Sequence, residues 1–356
     1  MFSIQLKQLI VYVFLLLISS SIYANETLIF ALDLIRHGDR TPLLTIPNAP
    51  HTWVEGMGQL TPLGMQQEWH HGIEFRKKYI DHSHLLPPRF QHDTLYVFST
   101  NVDRTLMSAQ AVLMGLYPLG TGPVLPGSRK PALPRGYQPI PIHPKLMEGS
   151  SEIMVDNDIT HGKQEALRYL ASQPAWIQKT QELQNKFPAW SAATGLSLTG
   201  LHQLVALADT LYIDQLYHVP MPAHLSAEDV KQIVAAGSWA FVTAFQTKEI
   251  ATIVGSPFVT AITSYIQNAS QQKTPLKYVL LSAHDDTIMS VMTILQAPLD
   301  APPPYASDVN FSLFKTDTAG DIVKVTYNGK PVALRGCLPT YCALAQFIAL
   351  AAGGRV

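Results

Sequence analysis

The chain has 356 residues, with 25 Lys and Arg against 26 Asp and Glu and a formal net charge of −1. That balance excludes the basic excess of a nucleic-acid binder, so any strong positive potential must be local. The length suits one large domain or two modest ones, and a hydrophobic share of 47% is enough for a sizeable core.

In chain order, Lys7, the apolar run from Leu9 to Ile18 and the small residues up to Ala24 read as a signal peptide over residues 1–24. The run is too short for a comfortable membrane span. The expectation is an exported protein, periplasmic or secreted, with no membrane association after cleavage. No later segment reads as long and apolar enough to cross a bilayer.

Three strand-like segments then run into polar turns. Leu28 to Ile35 leads into Arg36-His37-Gly38-Asp39-Arg40; Leu95 to Phe98 leads into Ser99-Thr100-Asn101; Tyr278 to Leu281 leads into Ser282-Ala283-His284-Asp285. Helices are expected after Thr61, as N-cap with Pro62 at the first helical position, from Val102 to Leu116, and from Asp285 to Leu295. Strands alternating with helices predict a sheet covered on both faces, with ligands held outside the carboxyl ends of its strands. All three polar turns sit there and are grouped into one site.

Between the second and third units, residues 118–144 are rich in Pro and Gly and read as irregular chain. Residues 164–245 read as mainly helical, with a capping box at Ser226-Ala227-Glu228-Asp229 and an apolar face from Val230, Ile233, Val234 and Phe241. Asn310 to Phe314 and Val323 to Tyr327 read as an antiparallel hairpin. The predicted fold is α/β: a mainly parallel sheet flanked by helices, with an inserted helical subdomain. The core takes residues 25–120 and 255–356, and the helical cap residues 121–254. The two cysteines, Cys337 and Cys342, are expected to pair in an oxidising compartment.

Two arginines flank His37 at a strand end. Guanidinium forks match phosphate oxygens, and imidazole is a competent nucleophile toward phosphorus. Gly38 would let the backbone approach a ligand closely. On spacing alone, a phosphate site and a surface cluster stand about even.

The segment resembles the R-H-G-x-R-x-P signature of the histidine acid phosphatases, matched at Arg36, His37, Gly38, Arg40 and Pro42. Ser99 to Thr105 resembles the family segment with a third phosphate-binding arginine, here Arg104, and His284-Asp285 resembles the family's His-Asp pair. Gly58 to Met65 and Gly336 to Cys342 are similar to prostatic-type members, and the likeness is weakest over residues 145–250. The resemblance implies His37 as nucleophile, a phosphate bound by Arg36, Arg40, Arg104 and His284, and Asp285 as the acid that protonates the leaving alcohol. It implies no cofactor and no metal. Substrates would be small phosphate monoesters, with phosphorylated proteins or lipids as further candidates. A monomer and a homodimer are both open.

The family commonly has His-Asp-Thr-Thr where this chain has His284-Asp285-Asp286-Thr287. Asp286 reads as a helix N-terminal acid; the sharper alternatives are that it raises the pKa of Asp285 by like-charge repulsion or serves as a second, accessory acid. Asp33 reads as making a structural hydrogen bond, Asp39 and Asp103 as turn and arginine partners, and His70 and His71 as a partly solvated helix face; Asn25 and Asn268 begin glycosylation sequons. A phytase or sugar phosphatase is the narrower alternative function. An exported non-catalytic phosphate binder is the alternative from another class.

Overall fold

The computed structural model describes residues 26–146 and 160–353; the expected signal peptide, residues 1–24, lies outside them. Strand β1 (Glu26–Arg36) is buried on both faces from Phe30 onward, as its near-continuous apolar run requires of a central strand. It lies parallel to β3 (Tyr278–Ala283), pairing Ala31 with Tyr278 and Arg36 with Ala283. On the far side of β3, β2 (Leu95–Ser99) is again parallel, with Ser99 opposite Ser282. The three strands therefore end level with one another.

The other edge of β1 pairs antiparallel with β4 (Asp308–Thr316), which pairs with β5 (Gly320–Tyr327). These two strands are the expected hairpin. The two-residue strands β6 (Lys330–Pro331) and β7 (Cys342–Ala343) both add to β5. The sheet is thus mixed. Its parallel part is confined to β2-β3-β1, and antiparallel pairing extends further than the sequence suggested because the edge of β5 away from β4 accepts a short strand toward each end. Cys337 and Cys342 are disulfide-bonded, which ties the chain before β7 to the sheet.

Helix α1 (Pro62–Arg76) begins where expected, with Thr61 Oγ1 accepting from the Gly64 amide at 3.1 Å. It runs into a π-helical turn, Lys77–His82. Helix α2 (Asp103–Leu116) follows β2. These helices cover one face, packing Phe75, Tyr79, Ala109, Val112 and Leu116 against Ala31, Ile35, Val97 and Leu280. They touch backbone to backbone: a Cβ on Gly72 would lie 2.0 Å from the Val112 carbonyl oxygen, and one on Gly115 2.4 Å from that of Trp69.

Five helices follow: α3 (Thr160–Ala171), α4 (Pro174–Leu183), α5 (Phe187–Thr194), α6 (Leu201–Leu216) and α7 (Ala227–Gln246). They enclose a second core around Trp190, Leu204, Leu211 and Ile233. The capping box forms at Ser226 and Asp229.

Helices α8 (Lys248–Ser270), α9 (Asp285–Ile294) and α10 (Leu344–Gly353) cover the second face of the sheet, with Phe258, Ile262, Ile288 and Phe347 against Leu32, Leu34, Leu281 and Phe311. Contrary to the sequence reading, α8 is long and apolar enough to cross a membrane by length and composition. Its apolar residues Phe258, Val259, Ile262 and Ile266 are instead buried in the protein core.

Beneath the α1 face lies a carboxyl-rich layer. Asp33 accepts from Tyr79 at 2.7 Å and from Asn310 at 2.9 Å, the structural role expected of it. Glu68 is fully buried, and neither of its carboxyl oxygens has a hydrogen-bond partner. Burial, then Asp308, holds its pKa well above the usual range. Burial, then Asp33, pushes Asp308 up to about 7.

An unfolded chain releases these protons first, so stability falls as pH rises from the ordinary carboxylate range through the raised values. Asp229, held down to about 2 by Ser226 and Trp190, acts only below that window. His37 and His284, held neutral by burial, act in the opposite sense below the ordinary histidine pKa, so the Glu68 contribution is read by difference. We expect the thermal midpoint of Glu68→Gln, relative to the unmodified protein, to improve as pH rises from about 4 to 7; a difference that stays constant or falls over that range would contradict this.

Candidate active site

The level ends of the three parallel strands set the site. The His37 amide donates to the Ala283 carbonyl at 3.0 Å, and the Thr100 amide to that of Ser282 at 3.1 Å. His37 and His284 consequently sit side by side, with ring centroids 5.5 Å apart, edge to face. Arg36 ends β1, Arg40 follows three residues after His37, and Arg104 stands in the first turn of α2. Asp285 and Asp286 open α9.

His37 is almost fully buried, and its Nδ1 lies 2.8 Å from the Gly38 carbonyl oxygen. A carbonyl only accepts, so Nδ1 carries the ring proton and Nε2 keeps its lone pair. Burial, followed by Arg36, His284, Arg104 and Arg40, holds His37 well below the usual histidine pKa. The ring is a neutral base with one free nitrogen.

Arg36 and Arg40 are 6% and 5% exposed. Arg36 meets Asp285 Oδ2 at 2.8 Å, donates to the Pro303 carbonyl, and lies 4.1 Å from the Tyr305 ring centroid. Arg40 grips Asp209 bidentately, at 2.9 and 3.1 Å, and also donates to the Thr41 carbonyl. Burial disfavours its charge, but Asp209 outweighs that and its pKa is raised. In both arginines the buried Nε–H has no partner among the described residues.

Arg104 lies 3.4 Å from His284 Nδ1. Burial, then Arg104, pushes His284 down to about 3. For Asp285, burial is outweighed by Arg36, Arg40 and His284, and its pKa is lowered. The raise falls on Asp286, pushed up to about 6 by burial and then by Asp285. In the free protein the effect is thus the reverse of Asp286 raising its neighbour, because Arg36 claims Asp285.

Gly38 is required for a reason other than ligand approach: a Cβ there would lie 2.4 Å from the Gly64 carbonyl oxygen, in the first turn of α1. Asp39 accepts from Thr61 at 2.6 Å and from Tyr217, so its partners are hydroxyls rather than an arginine. Asp103 accepts from Gln59 at 3.2 Å. His70 caps back onto the Gln66 carbonyl, and His71 packs on α1 3.8 Å from Glu68. His143 stacks on Tyr96 at the sheet edge.

Sequence reasoning missed Asp209, Tyr217 and Tyr305. The first two come from α6 and its C-cap, where the helical pattern carries no motif. Tyr305 follows Pro302-Pro303-Pro304, and that run of prolines was the available signal.

The sequence matches the histidine phosphatase superfamily (branch 2) over residues 27–328, and the chain belongs to that family. It is a phosphatase. Curated relatives include the lysosomal acid phosphatase of Xenopus laevis, 32% identical over 97% of this chain and 81% of that protein. The testicular acid phosphatase of Homo sapiens is 30% identical over 92% and 80%. Among solved structures, the phytase of Klebsiella sp. ASR1 superposes with a TM-score of 0.67 at 16% identity, covering 93% of this chain and 96% of that one.

The Gly38–Gly64 contact makes a direct test. In Gly38→Ala the added methyl meets backbone, not a flexible side chain, and overpacking of this kind costs about 1–3 kcal/mol or more. A thermal midpoint lowered by several degrees and a drop in turnover are expected; an unchanged midpoint would show that α1 does not press on the catalytic loop.

Proposed function

We propose that this chain is an acid phosphatase that hydrolyses phosphate monoesters through a phosphohistidine on His37. The observation that carries the reading is the pair of buried arginines, Arg36 and Arg40, whose Nε–H donors lack partners. An orphaned buried charged donor is costly, and a bound phosphate oxygen satisfies it. The neutral His37, with Nε2 unprotonated, adds what a mere binder does not need.

In the proposed reaction Arg36, Arg40, Arg104 and His284 hold the phosphoryl oxygens, and the guanidinium groups neutralise charge as it spreads over them. His37 Nε2 forms the bond to phosphorus as the ester oxygen leaves. Asp285 supplies that oxygen with a proton. Water then attacks the phosphohistidine, releases phosphate and returns the ring to its starting state.

Asp285 begins as a carboxylate paired to Arg36. A bound dianion competes for Arg36 and repels the carboxylate, and both effects favour protonation of Asp285. With Asp286 at about 6, the adjacent carboxyls titrate as a pair, and activity belongs on the acid side of neutrality.

Curated relatives named as acid phosphatases favour a monoesterase over the phytase alternative, since the phytase structures share the fold at low identity. Residues 121–254 are proposed as the cap that sets substrate choice, with residues 25–120 and 255–356 as the core. Export to a periplasm or the medium is proposed from residues 1–24 and from relatives named as lysosomal and prostatic.

Quenched turnover with labelled substrate should trap an acid-labile, alkali-stable phosphoryl group, lost together with activity in His37→Ala. Label on a Ser or Asp would sink the mechanism. Asp285→Asn should lower kcat by about 10²–10⁴-fold on alkyl phosphates, and far less on nitrophenyl phosphate. Asp286→Asn should retain most activity; if instead it shows the leaving-group-dependent loss, the acid is Asp286.

A further inference from the structure

We propose that Thr100 and Thr105 lock His284 in the tautomer protonated on Nε2, so that a phosphate oxygen is held at its Nδ1 only with uptake of a second proton. The proposal rests on the phosphate-site reading above.

Hydrogen-bond direction carries the argument. Thr105 Oγ1 lies 2.9 Å from the Thr100 carbonyl oxygen and 2.8 Å from that of Val102. Carbonyls only accept, so the Thr105 hydroxyl spends its one proton on them. Thr100 Oγ1, 2.8 Å from Thr105 Oγ1, must then donate to it. Having spent its own proton, Thr100 Oγ1 accepts from His284 Nε2 at 2.9 Å. Both threonines are fully buried, so water offers no alternative partner.

The chain therefore runs one way, from His284 Nε2–H through two hydroxyls to the backbone. Nδ1 is left with a lone pair, and it faces Arg104 at 3.4 Å, on the side of the cradle. An ionised phosphate oxygen is also an acceptor, and two lone pairs repel. Holding that oxygen requires a proton on Nδ1, drawn from solvent, which makes the ring an imidazolium.

The charged and titratable groups around His284 decide when this happens. Burial, Arg104 from α2, and Arg36 and Arg40 at and just after the end of β1 oppose a positive ring; Asp285 favours it, and the neighbouring His37 is neutral. A bound dianion offsets the arginines. Phosphate binding is thereby coupled to acid at His284 as well as at the leaving-group acid, with Thr100 and Thr105 as positioning residues.

The test follows the ring nitrogens of His284 by NMR in nitrogen-15-labelled His37→Ala protein, with sulfate as the probe because its charge is constant from pH 5 to 7. The Nε2–H tautomer is expected in the free protein, and protonation of both nitrogens when sulfate binds. In Thr100→Val the lock is gone: Nδ1–H can donate directly, and sulfate affinity should lose about tenfold less per pH unit than in its Thr100 parent, one proton fewer being linked. Thr100→Ser should restore the parent behaviour. A free protein with the Nδ1–H tautomer, a His284 that stays neutral under bound sulfate, or a Thr100→Val variant with the parent's pH dependence would each overturn the proposal. If no active-site signal responds to sulfate at any concentration, the phosphate-site reading itself fails instead.

Discussion

Buried guanidinium groups repel one another and give up hydration, and much of the local structure around the strand ends consists of groups that offset this. Asp285 meets Arg36 and Asp209 meets Arg40; carbonyls of Pro303 and Thr41 take further N–H donors. The Tyr305 ring lies under Arg36. The offset is incomplete by design of the donor set. Each of Arg36 and Arg40 keeps a buried Nε–H without a partner among the described residues, and burial together with the arginines holds the two neighbouring histidines neutral. The same environment leaves His37 Nε2 with its lone pair.

Two of the supporting contacts come from the helical insertion. Asp209 on α6 holds Arg40, and Tyr217 at the end of α6 donates to Asp39, two residues after His37. The loop after β1 is consequently held between α1, through Gly38 and Gly64, and α6, through Asp209 and Tyr217.

How much was legible follows from where each signal sits. His37, Arg36, Arg40, Arg104, His284 and Asp285 all stand within a few residues of a strand end, and strand ends announce themselves through an apolar run meeting a polar turn. The caps at Thr61 and Ser226 were equally local. Asp209 was not legible, because its importance lies wholly in a partner 169 residues away. Gly38 was noticed for close approach of a ligand; the crowding by Gly64, a further reason for glycine there, belongs to tertiary packing and was not legible. The division of charge between Asp285 and Asp286 depended on which carboxyl Arg36 reaches, a matter of side-chain geometry that adjacency in sequence does not decide.

The placement of β1 has a consequence for how the protein is made. Both of its sheet neighbours, β3 and β4, come from the far end of the chain: Asp33 finds Asn310 277 residues later, and Arg36 finds the Pro303 carbonyl 267 residues later. During synthesis the strand that leads into His37 emerges early yet has no sheet partner on either side until most of the polypeptide exists. Closing such distant contacts is slow, and an unpaired apolar strand is open to mispairing in the meantime. Assembly of the side chains around His37 is therefore a late event that waits for the C-terminal third, and truncation there would leave an intact His37 motif without the strands that pair with β1.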